Sequence, residues 1–202
     1  MAASDSAFPV ARWNIRSSHA VPAWDSSTQR AEEVSDDELM MRAREGCSAA
    51  FSTLVERHQQ RIFGIAYRYL GDAGLAQDVT QNTFVALHGN LAGYDGRGRL
   101  SAFIRVITIN QCRMITRTRW HKSSVAEGTR EPSVQLQLDW SHDLQKALSL
   151  LSEKLRVVII LHDFDGMTCN EVAEVLGIPV GTVKRRRFDA LAKLRAWLEG
   201  EA

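Results

Sequence analysis

Between Thr168 and Arg195 three local signals follow one another in an order that few folds accommodate. Thr168-Cys169-Asn170-Glu171 fits a capping box: the Thr hydroxyl takes one orphan N–H, and the Glu reaches back to another. A short helix to Leu176 follows, with Val172, Ala173 and Leu176 on its inner face. Gly177-Ile178-Pro179 is a tight turn, and the spacing then predicts a long helix from Val180 to Glu199. A capped short helix, a Gly turn and a longer helix make a helix-turn-helix. In such units the second helix enters the major groove by its N-terminal end. Gly181, Thr182, Lys184, Arg185 and Arg186 stand there. Exposed N–H groups and basic side chains at a helix start suit phosphate, and Arg reads guanine edges bidentately. The plainer alternative is a helical hairpin with a solvated basic face; the agreement of turn, cap and charge argues against it.

The formal net charge of +1 conceals a segregation. From Arg97 to Lys122 there are seven Lys and Arg and no acid; from Lys184 to Arg195 there are six, against Asp189 alone. Two basic blocks in an otherwise balanced chain suggest two surfaces for a polyanion. No apolar run approaches the roughly 18 residues of a membrane span, so no membrane insertion is expected, and no secretory leader is evident. Cys47, Cys112 and Cys169 form neither a disulfide framework nor a zinc pair. A cytoplasmic protein without metal or other cofactor is the simplest expectation.

The chain reads as all-α throughout. Residues 1–34 have no periodicity and read as a flexible extension, in which Trp13 and Trp24 could dock on a partner or on the body. Ser35-Asp-Asp-Glu38 is a capping box opening a short helix to Glu45. Ser48 can cap a second helix to Leu70, with Phe51, Leu54, Val55, Ile62, Ile65, Ala66 and Tyr69 on its apolar side. A third helix spans Ala73 to Leu91, with Leu75, Val79, Phe84 and Leu87 near one side. A Gly-rich loop runs from Gly89 to Gly98. Ser101 to Trp120 is a fourth helix, with Phe103, Ile107 and Met114 on one side and Arg113, Thr116 and Arg117 facing away. Residues 122–138 read as a linker. The second unit, 139–200, opens with a helix carrying Leu144, Ala147, Leu148 and Leu151, and continues with one capped by Ser152 and broken by Gly166. Two small helical domains, 35–121 and 139–200, joined by a flexible linker are therefore expected.

Gly177-Ile-Pro-Val-Gly-Thr-Val-Lys184, followed by Arg186, resembles the last region of the sigma-70 family of bacterial RNA polymerase. Leu150–Val158 and Gly166–Ala173 are similar to the same domain. Leu75-Ala-Gln-Asp-Val-Thr-Gln-Asn-Thr-Phe84 resembles the segment that docks on the polymerase clamp helices, and Asp78, Gln81 and Asn82 share one helix face. Leu100–Asn110 is similar to the promoter-melting, −10-reading segment. The resemblance implies a −35 contact by Gly181, Thr182, Lys184, Arg185 and Arg186. It implies a −10 and melting surface of Tyr94, Arg97, Arg99, Arg105, Asn110, Arg113 and Arg117. Tyr94 fits a pocket for a flipped base and equally fits a cap on the core.

Both regions in order, without an intervening domain, point to the extracytoplasmic-function (ECF) group. That implies core RNA polymerase, promoter DNA and an anti-sigma factor as partners. The chain departs from the family at Leu100 and Phe103 (usually aromatic and Trp), Asn82 (usually an acid), and Arg185 and Arg187 (usually Ser and Leu). Arg187 interrupts an inward stripe of Val183, Ala190 and Leu194, and Phe188 is expected to compensate. The alternatives are a dimeric helix-turn-helix regulator that does not bind polymerase, and an enzyme. Against the second, the chain carries no phosphate loop, nucleophile elbow or HExxH, and its histidines are scattered.

Overall fold

The computed structural model describes residues 34–94, 98–123 and 142–200. Among them stand eight α-helices and no strand: α1 (Asp36–Arg44), α2 (Ser48–Leu70), α3 (Ala73–Gly89), α4 (Leu100–Ser123), α5 (His142–Leu150), α6 (Glu153–Ile159), α7 (Cys169–Leu176) and α8 (Val180–Leu198). The chain is all-α, as its periodicities predict. Trp13, Trp24, Arg97 and most of the expected linker lie outside the described residues; Lys122 and Ser123 belong to α4 rather than to that linker.

Cap chemistry explains most boundaries. The Ser35 side chain accepts the Glu38 N–H at 3.2 Å and starts α1. Glu38 does not complete the expected box; it turns outward to Arg42. Ser48 is the first residue of α2 and not its cap: Cys47 takes that position without a side-chain bond. Gly71 ends α2 at φ +70°, where a β-carbon is strained. The Asp72 carboxylate accepts the Leu75 N–H at 2.9 Å and restarts the chain as α3. Thr168 and Glu171 make both bonds of the predicted capping box.

One element differs in kind. The helix begun at Glu153 widens after Ile159 into a π-helical turn, Ile160–Phe164, closed by the Asp165 N–H on the Ile160 carbonyl at 2.9 Å. The apolar pattern Val157-Val158-Ile159-Ile160-Leu161 is buried on all sides, so no periodicity marked the change.

One core packs Leu39, Met40, Leu54, Ile62, Leu87, Leu100 and Ile104 from α1 to α4. A smaller one joins Leu148, Leu151, Leu155, Ile159 and Ala190. The largest crosses the two halves of the sequence: Ile65, Ala66, Tyr69, Val79, Ile109 and Cys112 meet Val157, Val158, Ile160, Leu161, Val172 and Val183. Burial and apolar surface of this extent are what hold small helices together. The described residues from Val34 onward accordingly belong to one compact unit. Met114, expected on the packed side of α4, is half exposed; Ile104, Thr108, Ile109 and Cys112 supply the buried side instead.

Candidate nucleic-acid interface

The helix-turn-helix is built by the end of α7. Gly177 takes φ +64°, and the Ile178 N–H returns to the Ala173 carbonyl at 3.1 Å while the Gly177 N–H reaches Glu174 at 3.3 Å. This pair of bonds satisfies the last carbonyls of α7 and reverses the chain within three residues. Ile178 and Val180 then pack onto the large core. Pro179 precedes α8 with its φ already near −60°, and no side chain caps that helix. The Thr182 and Val183 N–H groups return to the Pro179 carbonyl, which leaves those of Val180 and Gly181 uncapped at the positive end of the helix dipole.

Gly181, Lys184 and Arg185 are exposed and Thr182 and Arg186 half-buried, so all five predicted −35 residues lie at the open end of α8. The Arg185 side chain is 85% exposed, its nearest acid being Asp189 at 4.0 Å. It is free to turn toward a groove. Inside, Val183 and Ala190 are buried. Val175, which the sequence reading passed over, joins Val172 and Ala173 beneath the turn.

Arg187 leaves the inward stripe for an acid of the preceding segment. Its guanidinium forms a two-pronged ion pair with Asp163, Nη2 to Oδ1 at 2.7 Å and Nε to Oδ2 at 3.1 Å. That carboxylate raises the Arg187 pKa further. Phe188 does not compensate in the core; it is 74% exposed.

Asp78, Gln81 and Asn82 form an exposed stripe on α3, extended by Val85 one turn on. The buried side of the same helix holds Ala76, Val79, Thr83, Phe84 and Leu87, which explains the outward aim of the stripe.

The predicted −10 residues divide. Asn110, Arg113 and Arg117 share an exposed face of α4. Tyr94 is pinned against the body: its hydroxyl donates to Asp37 and its ring lies 6.4 Å from Phe103. These contacts fit a cap on the core, with Tyr94 left half-buried. Arg105 is 9% exposed and its Nε pairs with Asp165. Arg61 Nε meets the other oxygen of Asp165 at 3.0 Å. Arg99 pairs with Glu174 at 2.7 Å and Arg113 with Glu153 at 3.3 Å. The acids in these pairs, and Arg61, carried no sequence signal, since the partners stand 40 to 104 residues apart.

Burial depresses the Arg68 guanidinium to about 10, against the pull of nearby Asp165, and the side chain lies over the Phe164 ring at 5.0 Å. Desolvation also pushes the Cys112 thiol up to about 12, so this cysteine packs as a small apolar group. Among the described residues no group of three His, Cys, Asp or Glu could hold a metal ion, and no helix is long and apolar enough to cross a membrane.

Comparison with known proteins agrees with this architecture. Residues 54–122 match the family model of sigma-70 region 2, and residues 141–194 match that of sigma-70 region 4. The ECF RNA polymerase sigma factor SigW of Bacillus subtilis is 28% identical over 80% of this chain and 98% of its own. The ECF RNA polymerase sigma-E factor of Escherichia coli is 27% identical over 79% of this chain and 92% of its own. CnrH, solved in complex with the cytosolic domain of CnrY, superposes with a TM-score of 0.66 at 28% identity, covering 83% of this chain and 99% of that one. The sigma factor RpoE of Bartonella quintana, solved with the anti-sigma factor NepR, gives 0.64 at 24% identity over 74% and 96%, which bears on the fold alone.

The two family matches fall on the helical body and on the helix-turn-helix that follows it. The chain belongs to the sigma-70 family, in its ECF group: it is an alternative sigma factor that binds core RNA polymerase and directs promoter-specific initiation.

Proposed function

We propose that residues 35–121 and 139–200 act as the two functional domains of this sigma factor, reading the −10 and −35 elements respectively, without catalytic activity and in the cytoplasm. The −35 element is met by Gly181, Thr182, Lys184, Arg185 and Arg186, and the −10 strand by α4 through Asn110, Arg113 and Arg117 together with Tyr94, Arg97, Arg99 and Arg105. Asp78, Gln81 and Asn82 dock on polymerase. Two weak readers tethered in one chain raise each other's effective concentration on a promoter. An anti-sigma factor holds the protein inactive until a signal releases it. CnrH, 28% identical to this chain, is seen in complex with the cytosolic domain of CnrY, which supports a protein partner for this chain.

The observation that carries the reading is the separation of an exposed polar stripe on α3 from an exposed cationic helix start on α8. The two make independent predictions. Arg185→Ala with Arg186→Ala should weaken promoter binding by about 1–3 kcal/mol per lost base contact and leave core polymerase binding unchanged. Asp78→Ala with Gln81→Ala should do the reverse, in a chain that keeps its helical circular dichroism. Fluorescence anisotropy with labelled promoter and with core polymerase measures both. Normal binding by either double variant removes that face from its role.

A further inference from the structure

We propose that Asp163 is a positioning residue for the −35 contact: it holds Arg187 against the body of the protein, so that α8 meets DNA with three cations instead of four. The proposal deepens the assignment above of α8 to the −35 element and rests on it.

Lys184, Arg185, Arg186 and Arg187 are consecutive, and a helix spreads four consecutive residues around most of its circumference. Lys184 and Arg185 are exposed. Position 187 falls on the packed side, four residues after Val183 and three before Ala190, both fully buried. Those two serve different clusters. Val183 joins Val172 and Val175 beneath the turn, and Ala190 joins Leu148, Leu151 and Ile159. Arg187 stands on α8 between them.

Asp163 faces it from the π-helical turn. Three hydrogen bonds join the pair: Nη2 donates to Oδ1 at 2.7 Å, and Nε to both carboxylate oxygens at 3.1 Å. His162 Nδ1 lies 3.5 Å from the same Oδ1. The Arg187 and Asp163 side chains are 36% and 25% exposed, so water competes only in part. A two-pronged pair fixes a planar guanidinium in orientation as well as in place. Arg185, two residues earlier, meets its nearest acid only at 4.0 Å. One arginine of the run is held and another is free.

The consequence is electrostatic. A guanidinium keeps its charge at any physiological pH, so a free one beside Arg186 would seek phosphate. Phosphate contacts carry no sequence information and supply nearly all of sequence-blind binding. A specific complex seats α8 in one register, with position 187 turned to the body. Sequence-blind complexes have no fixed register, and a free guanidinium finds phosphate in many of them. Holding Arg187 therefore lowers affinity for DNA at large more than affinity for the promoter, and specificity rises by subtraction.

Fluorescence anisotropy of the full chain on a labelled mixed-sequence duplex of about 30 base pairs, over an about fourfold range of potassium chloride, reads the number of phosphates contacted. Asp163→Asn should steepen the slope of log affinity against log salt by about 0.9, one added phosphate. Over that range it should then lose about 3.5-fold more affinity than the wild type loses. In an Arg187→Gln background the same substitution should leave the slope unchanged, because no guanidinium is released. A promoter fragment that the protein selects from a genomic library should gain less than the mixed duplex, so the ratio of the two affinities falls. No steepening in a folded Asp163→Asn chain, equal steepening in both backgrounds, or an unchanged ratio overturns the proposal. If Asp163→Asn fails to fold, Arg187→Lys decides, since an ammonium keeps the charge but makes no two-pronged pair. A steeper slope then supports the proposal and an unchanged one overturns it. Steepening in a chain whose promoter affinity survives Arg185→Ala with Arg186→Ala supports the retention of Arg187 and instead defeats the −35 assignment on which its purpose rests.

Discussion

Asp36 shows how single residues carry the fold. It stands in the first turn of α1, yet its carboxylate reaches α2, with Arg57 Nη1 at 2.9 Å and His58 Nε2 at 2.7 Å. Burial pushes the Asp36 carboxyl up, but Arg57 and His58 outweigh it and hold the pKa below the ordinary 3.8. With the folded value depressed, the unfolded chain binds the proton more readily. The contribution is therefore present above about pH 4 and lost as pH falls through the folded value. Thermal unfolding from pH 6 to pH 3 should show this: the destabilising effect of Asp36→Asn shrinks as the wild type is acidified. A difference that stays constant over that range would contradict the assignment. Such a residue is not legible in a sequence. Asp36 reads as one acid of a capping box, and Asp165 draws no reading beyond its place before the helix-breaking Gly166. Their partners lie 21 and more residues away. Arg105 shows the same limit: its charge alone says nothing of burial, which a non-local acid, Asp165, allows.

At the scale of elements the sequence was far more informative, because caps and periodicity are local. Thr168 and Glu171 announced α7, and Gly177 its end; the backbone bonds are those such residues make. Hydrogen bonding from the Thr168 N–H and hydroxyl holds the Glu171 carboxyl below its usual range. Thr168→Ala removes the acceptor for the Glu171 N–H and should cost about 1 kcal/mol, read as a lower thermal midpoint with DNA affinity falling alongside. An unchanged midpoint would show that packing of Val172 and Val175 alone positions the helix. What escaped the local signals were features set by tertiary packing. The π-helical turn lies in a stretch buried on every side, and Met114 fell on the wrong side because α4 faces two partners. Ile104 packs toward α1–α3, while Ile109 and Cys112 join the core shared with α6 and α7. A helix contacting two bodies has no single apolar stripe to read.

At the scale of the whole molecule, the order of the two regions was legible from motifs, and the family matches fall on the same stretches. Their mutual packing was not, because no local pattern specifies which helix of one half meets the other. The large core joins Ile65, Tyr69 and Ile109 to Val158, Leu161 and Val172, so the described halves share apolar surface as well as ion pairs. The central claim is that this chain is a sigma factor with polymerase and promoter surfaces on different helices. The most direct test is to titrate the purified protein against core RNA polymerase and then transcribe a genomic fragment library with the complex. The account predicts saturable binding and start sites absent with core enzyme alone. A folded protein, free of bound inhibitor, that neither binds core polymerase nor creates new start sites would contradict it.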